Sequence, residues 1–91
     1  MKKIFPCIIG LGYVGLPLFV SLKKKFQMIG YDISKTRTKE LKKYIDRNKE
    51  FTRKDLKLEN KSLITSDHVD IQASNFYIVT VPTPIKKNKY P

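Results

Sequence analysis

Apolar residues along the chain collect in short unbroken runs, separated by polar stretches in which they are sparse. Cys7-Ile8-Ile9 is the first run and ends at Gly10. Pro6 fits only at the first residue of such a strand, because it has no N–H to give to the ladder. A glycine-rich turn then leads into a helix predicted from about Val14 to Lys25. Pro17 falls in its first turn, where a missing N–H costs little. Leu16, Leu18, Phe19, Val20 and Leu22 make this helix nearly all apolar, so it is expected to be buried. Gln27 to Tyr31 reads as a second strand closing on Asp32. Ser34 is a suitable N-cap for a lysine-rich amphipathic helix running to about Tyr44 or Ile45, with Leu41, Tyr44 and Ile45 as its buried stripe.

Thr52 with Asp55 three residues later predicts a capping box and a short helix from Arg53 to about Leu58. Leu63-Ile64-Thr65 is a weak third strand, and Val69, Ile71 and Ala73 suggest a brief helical or irregular crossover. Phe76 to Val81 is the strongest strand signal, and Pro82-Thr83-Pro84 stops it. Strand, helix, strand, helix, strand, crossover, strand is the order of an α/β chain. It predicts the first half of a Rossmann-type fold: a doubly wound, mostly parallel sheet with helices on both faces, in one incomplete domain over residues 1–91.

The N-terminus has a second possible reading. Lys2-Lys3 before an uncharged run from Ile4 to Leu22 has the outline of a signal peptide or short anchor. The run holds three glycines and two prolines, and no small-x-small cleavage site follows it. Strand, turn and helix describe it better than one apolar helix.

The net charge of +11 raises the question of nucleic acid. The positive charges are spread over 2–3, 23–25, 35–43, 53–61 and 86–89, as on solvated helix faces and loops. No zinc-finger, RRM or helix-turn-helix signature accompanies them. Neither a nucleic-acid nor a membrane partner is expected. A single cysteine, Cys7, allows no internal disulfide, and its place in an apolar strand predicts an inert buried thiol. His68, the only histidine, reads as a surface residue. No metal site and no catalytic residue are expected in this stretch.

Chemistry enters at Gly10-Leu11-Gly12-Tyr13-Val14-Gly15, a G-x-G-x-x-G placed directly after a strand and opening a helix. Gly10 permits the tight turn, Gly12 lets the backbone approach a pyrophosphate, and Gly15 allows the helix close to the strand. The free N–H groups and the helix dipole attract the phosphates. Leu11, Tyr13 and Val14 complete the turn, packing against the cofactor or offering backbone N–H groups. Asp32 ends the second strand 20 residues after Gly12, where a carboxylate accepts hydrogen bonds from the adenosine ribose. The bland alternative is that Asp32 merely begins the turn before Ser34. An acid here repels a 2′-phosphate and favours NAD over NADP, although Lys35 and Arg37 nearby soften that preference. Thr83 lies past the end of the last strand, where open α/β sheets bind ligands, and equally suits a loop threonine between prolines.

Several blocks resemble the UDP-glucose/GDP-mannose dehydrogenase family: Ile8 to Leu18, Gly30 to Arg37, Ile45-Asp46-Arg47, Thr65-Ser66-Asp67 and Tyr77 to Ile85. They occur in order over nearly the whole chain. Gly15-Leu16-Pro17-Leu18 and Val81-Pro82-Thr83-Pro84-Ile85 look most like UDP-N-acetylhexosamine 6-dehydrogenases of capsule and O-antigen synthesis. The resemblance implies oxidation of the C6 hydroxyl of a UDP-sugar to a carboxylate, with two NAD reduced in succession and a later cysteine holding the intermediate as a thioester. It further implies a homo-oligomeric, cytoplasmic full-length form. Carried over by position, Asp32 and Arg37 hold the adenosine end, Val14 stands in the phosphate turn and Thr83 lines the cofactor cleft. The family's catalytic cysteine has no counterpart here, since Cys7 does not match its place. The chain is therefore expected to be an N-terminal fragment that does not catalyse alone. A stand-alone nucleotide-binding module and a basic membrane-anchored small protein are the alternatives.

Overall fold

The computed structural model describes residues 3–80. Four parallel strands form one sheet: β1 (Pro6–Ile9), β2 (Ile29–Tyr31), β3 (Leu63–Thr65) and β4 (Phe76–Val79), in the order β3-β2-β1-β4. The β1–β2 register pairs Ile8 with Gly30, β2–β3 pairs Gly30 with Ile64, and β1–β4 pairs Ile8 with Ile78. Because side chains alternate along a strand, these residues share one face. This is a Rossmann-type arrangement, and the chain reverses its direction of travel across the sheet between β1 and β4. Ligands of open α/β sheets bind outside the carboxyl ends of the strands at such a point.

Helices α1 (Gly15–Leu22), α2 (Lys35–Lys42) and α3 (Arg53–Leu56) feed one core. Leu16, Phe19 and Val20 of α1 meet Leu41, Leu56, Ile8 and Ile64, with Leu11 and Met28 closing the cluster. Gly30 makes room for the Phe19 ring, since a Cβ there would stand 3.0 Å from it. The run from Ile4 to Leu22 is thus divided into strand, turn and helix. Among the described residues no helix is long and apolar enough to cross a membrane.

Several expectations need correction. Helix α1 stops at Leu22 rather than Lys25: the Lys25 and Phe26 N–H groups both close on the Leu22 carbonyl at 2.9 Å, and Asn60 Nδ2 donates to the Lys23 carbonyl at 2.8 Å. Only one face of α1 is buried, and Leu18 on the other is exposed. Lys23 does not sit on a solvated face. Its side chain is 2% exposed and its ammonium meets the Glu59 carboxylate at 2.8 Å, which lowers the Glu59 pKa.

Helix α2 begins as the sequence implies, with Ser34 Oγ accepting the Arg37 amide at 3.1 Å. It ends earlier than expected, in a Schellman motif: Ile45 N–H bonds the Glu40 carbonyl and Tyr44 N–H the Leu41 carbonyl, both at 2.9 Å. Tyr44 takes the left-handed conformation at φ 64°. That turn throws Ile45 into solvent, and Thr38 joins Leu41 in the buried stripe. The Thr52–Asp55 capping box is present, but α3 ends at Leu56. The crossover takes up a single 3-10 turn over Asp70–Ala73. β4 is an exposed outer strand despite its strong strand signal, whereas β1, beside it, is the buried centre. Val81 lies outside the described residues.

Candidate functional site

The turn between β1 and α1 is built from glycine and held by long-range hydrogen bonds. Gly10 has φ 104°, a conformation that L side chains rarely adopt, and its N–H donates to the Tyr31 carbonyl at 2.7 Å. Thr80 Oγ1 donates to the Gly10 carbonyl at 2.8 Å, fixing the turn from the end of β4. A Cβ at Gly15 would overlap both that carbonyl and Thr80 Oγ1, so only glycine lets α1 start so close to β1. At Gly12 a Cβ would meet nothing within 4 Å. The backbone there is open to an approaching group, and the first turn of α1 carries no side-chain cap.

Asp32 is part of this turn's architecture. Its Oδ2 accepts the Leu11 amide at 2.8 Å and its Oδ1 the Ser34 amide at 2.9 Å. Each carboxylate oxygen retains acceptor capacity after one such bond. Arg37 completes the frame: Nε donates to the Leu11 carbonyl at 2.8 Å and Nη1 to Asp46 Oδ1 at 3.1 Å. Asp46 is buried and also accepts the amides of Asn48, Glu50 and Phe51. Burial works to raise its pKa. The Glu50 and Asn48 amides, the Arg37 guanidinium and the Phe51 amide outweigh that and hold it below the usual carboxylate range.

These groups surround a cleft of about 290 Å³, bounded by Leu11, Gly12, Asp32, Thr36, Arg47 and Asn48 among others. Two wider clefts lie elsewhere. One, of about 630 Å³, sits by Ile4, Phe26 and Lys61 at the opposite, amino-terminal ends of the strands. The other, of about 570 Å³, holds exposed His68 beyond β3. The smaller cleft has the phosphate turn and an oriented acid in one place, so chemistry favours it over size.

Comparison with known proteins decides the family. The model of the UDP-glucose/GDP-mannose dehydrogenase family, NAD binding domain, matches residues 3–91. The chain belongs to this family. The chain is 49% identical over 84 residues to UDP-N-acetyl-D-glucosamine 6-dehydrogenase of Salmonella typhi, covering 92% of the chain and 20% of that protein. It is 43% identical over 91 residues to the Pseudomonas aeruginosa protein of the same name, covering 100% of the chain and 22% of that protein. It is also 45% identical over 84 residues to Protein CapL of Staphylococcus aureus, covering 92% of the chain and 20% of that protein. The chain therefore spans about a fifth of the length of these relatives. As the NAD-binding domain of the UDP-glucose/GDP-mannose dehydrogenases, it has NAD as its cofactor.

Of the residues singled out from the sequence, Gly10, Leu11, Gly12, Tyr13, Val14, Gly15, Asp32 and Arg37 come together around the turn and its cleft. Leu11 is buried, whereas Tyr13 and Val14 are exposed, with Tyr13 OH 3.4 Å from Asn48 Oδ1. Arg37 is engaged by Leu11 and Asp46 rather than free in the cleft. Thr83 lies outside the described residues. Cys7 is buried and its thiol is pushed up to about 11 by desolvation, which suits an inert core residue of this dehydrogenase domain. The sequence reading gave no role to Thr36, Asp46, Arg47, Asn48 or Thr80. Thr36, Asp46, Arg47 and Thr80 fall within the family-like blocks, and Asn48 in none of them.

Proposed function

We propose that this chain is the part of a UDP-sugar 6-dehydrogenase that grips the ADP half of NAD, and that the whole protein oxidises the C6 hydroxyl of a UDP-N-acetylhexosamine to the uronic acid. The observation that carries the reading is the Leu11 N–H to Asp32 Oδ2 bond at 2.8 Å, which ties the acid at the end of β2 to the glycine turn. A phosphate turn and a ribose acceptor are thereby held at a fixed spacing. Gly10 sets the fold of the turn, and Gly12 leaves space for the pyrophosphate. The backbone of Tyr13, Val14 and Gly15 offers N–H groups at the positive end of α1. Asp32 accepts from the adenosine ribose hydroxyls, Arg37 keeps the Leu11 backbone in place, and Thr83 is carried over from the family resemblance as a cofactor-cleft residue. NAD supplies the hydride acceptor that the oxidation of an alcohol requires.

The names of the Salmonella and Pseudomonas relatives support the sugar class. The aldehyde-trapping cysteine of this chemistry is not Cys7, whose burial and raised pKa disfavour the thiolate. The reading carries with it a cytoplasmic, homo-oligomeric whole protein, in keeping with soluble NAD and UDP-sugar pools.

The test is a calorimetric titration of the whole protein with NAD and NADP. Asp32→Ala is expected to weaken NAD binding by about 1–3 kcal/mol, because a charged acceptor is lost. A wild-type preference for NADP, or unchanged NAD affinity in Asp32→Ala, would contradict the role given to Asp32.

A further inference from the structure

Arg47 stands on the rim of the same cleft as Asp32 and Gly12, and its guanidinium is held at two points although the side chain is exposed. Its Nε donates to Glu40 Oε1 at 2.9 Å, and its Nη2 donates to Glu40 Oε2. This two-pronged grip fixes the plane of the guanidinium, not only the position of its charge. Glu40 belongs to α2, whose N-cap Ser34 donates its amide to Asp32 Oδ1 at 2.9 Å, so the plane is tied to the helix whose start is bonded to the ribose acceptor. The Arg47 side chain is 59% exposed while Glu40 is 26% exposed, which leaves a face of the guanidinium open.

Other planar groups near the cleft are less suited to receive a base. Arg37 is 11% exposed, with Nε and Nη1 already directed at Leu11 and Asp46. Asn48 is tied to the Tyr13 hydroxyl. We infer that the Glu40–Arg47 pair presents a flat cationic platform on which the adenine ring of NAD stacks, with Arg47 a binding residue and Glu40 its positioning residue. The inference rests on the adenosine reading of this cleft. With pyrophosphate at Gly12 and ribose at Asp32, the base is the remaining part of the nucleotide. Of the planar groups left in the lining, the Tyr13 ring is 72% exposed and held only through its hydroxyl at 3.4 Å, whereas Arg47 is fixed at two points. Pairing with Glu40 also cancels the charge that would otherwise draw a 2′-phosphate, in keeping with NAD.

The experiment is calorimetry on the whole protein with NAD and with ADP-ribose, alongside melting midpoints to report that each variant is folded. Arg47→Ala is expected to lose about tenfold in affinity, and Arg47→Lys about as much, because lysine keeps the charge but not the plane. Both ligands should lose equally, since the effect lies in their shared adenine half. Glu40→Ala is expected to lose about threefold and Glu40→Gln to recover most of it, as the amide oxygen can still orient the guanidinium. Wild-type affinity in Arg47→Ala, full rescue by Arg47→Lys, or a loss confined to NAD would each overturn the stacking role. Asp32→Ala separates the two ideas. If it loses NAD while Arg47→Ala does not, the platform alone fails; if neither loses it, the adenosine reading of the cleft falls as well.

Discussion

A methyl group added at Gly15 would strike the Gly10 carbonyl and Thr80 Oγ1, whereas one added at Gly12 would meet no atom within 4 Å. The first position serves the fold and the second faces outward. Elsewhere, non-glycine residues occupy the left-handed region: Tyr44, Lys49, Asn60 and Lys61. Asn60 and Lys61 are the central pair of a tight turn closed by Ser62 N–H to the Glu59 carbonyl at 3.0 Å. Asparagine tolerates this conformation, and glycine suits the second place better than lysine. Lys61→Gly is expected to stabilise the protein by about 0.5–1 kcal/mol, read as a higher urea midpoint at unchanged slope. A lower midpoint would mean that the Lys61 side chain contributes more than its backbone costs. Gly10, Gly12, Gly15 and Asp32 were legible in the sequence because their spacing is local. Thr80 and Asp46 were not, because their partners Gly10 and Arg37 are set by the sheet order and by a loop without periodicity.

At the scale of elements, the order of strands and helices was readable, and their ends were not. Helix α1 was overextended because Asn60, whose side-chain amide donates to the carbonyl at its C-terminal end, lies 37 residues away. Helix α2 was overextended because no glycine announces its left-handed stop at Tyr44. The segment after α2 looks featureless in sequence, yet Asp46 organises it by accepting the amides of Asn48, Glu50 and Phe51. Its folded-state pKa is depressed, so its contribution is fully present above the ordinary carboxylate range and is lost as pH falls through the folded value. Asp46→Asn is expected to cost about 1–3 kcal/mol at pH 7. The gap from wild type should narrow below about pH 4. Urea midpoints of both proteins across that range are the check, and a gap that stays constant into acid would contradict the assignment.

At the scale of the whole molecule, the chain covers about a fifth of its relatives, and its β4 strand is exposed at Phe76, Tyr77 and Val79. A dinucleotide spans both halves of a Rossmann sheet, so this stretch alone addresses mainly the ADP moiety. The 91 residues on their own are expected to show no NADH formation with UDP-N-acetylglucosamine, UDP-N-acetylgalactosamine or UDP-glucose, and only weak NAD binding. Turnover that disappears in Cys7→Ala would contradict this and make Cys7 catalytic. The central claim is narrower: the turn from Gly10 to Gly15 cradles the pyrophosphate of NAD. The most direct test is the NAD affinity of Gly12→Ala in the whole protein, since space at this position lets the variant fold. An unchanged melting midpoint with NAD binding weakened by about 2 kcal/mol or more is the expected result, as the added methyl holds the phosphates away from the backbone N–H groups. Wild-type NAD affinity in that variant would show that the pyrophosphate does not approach Gly12.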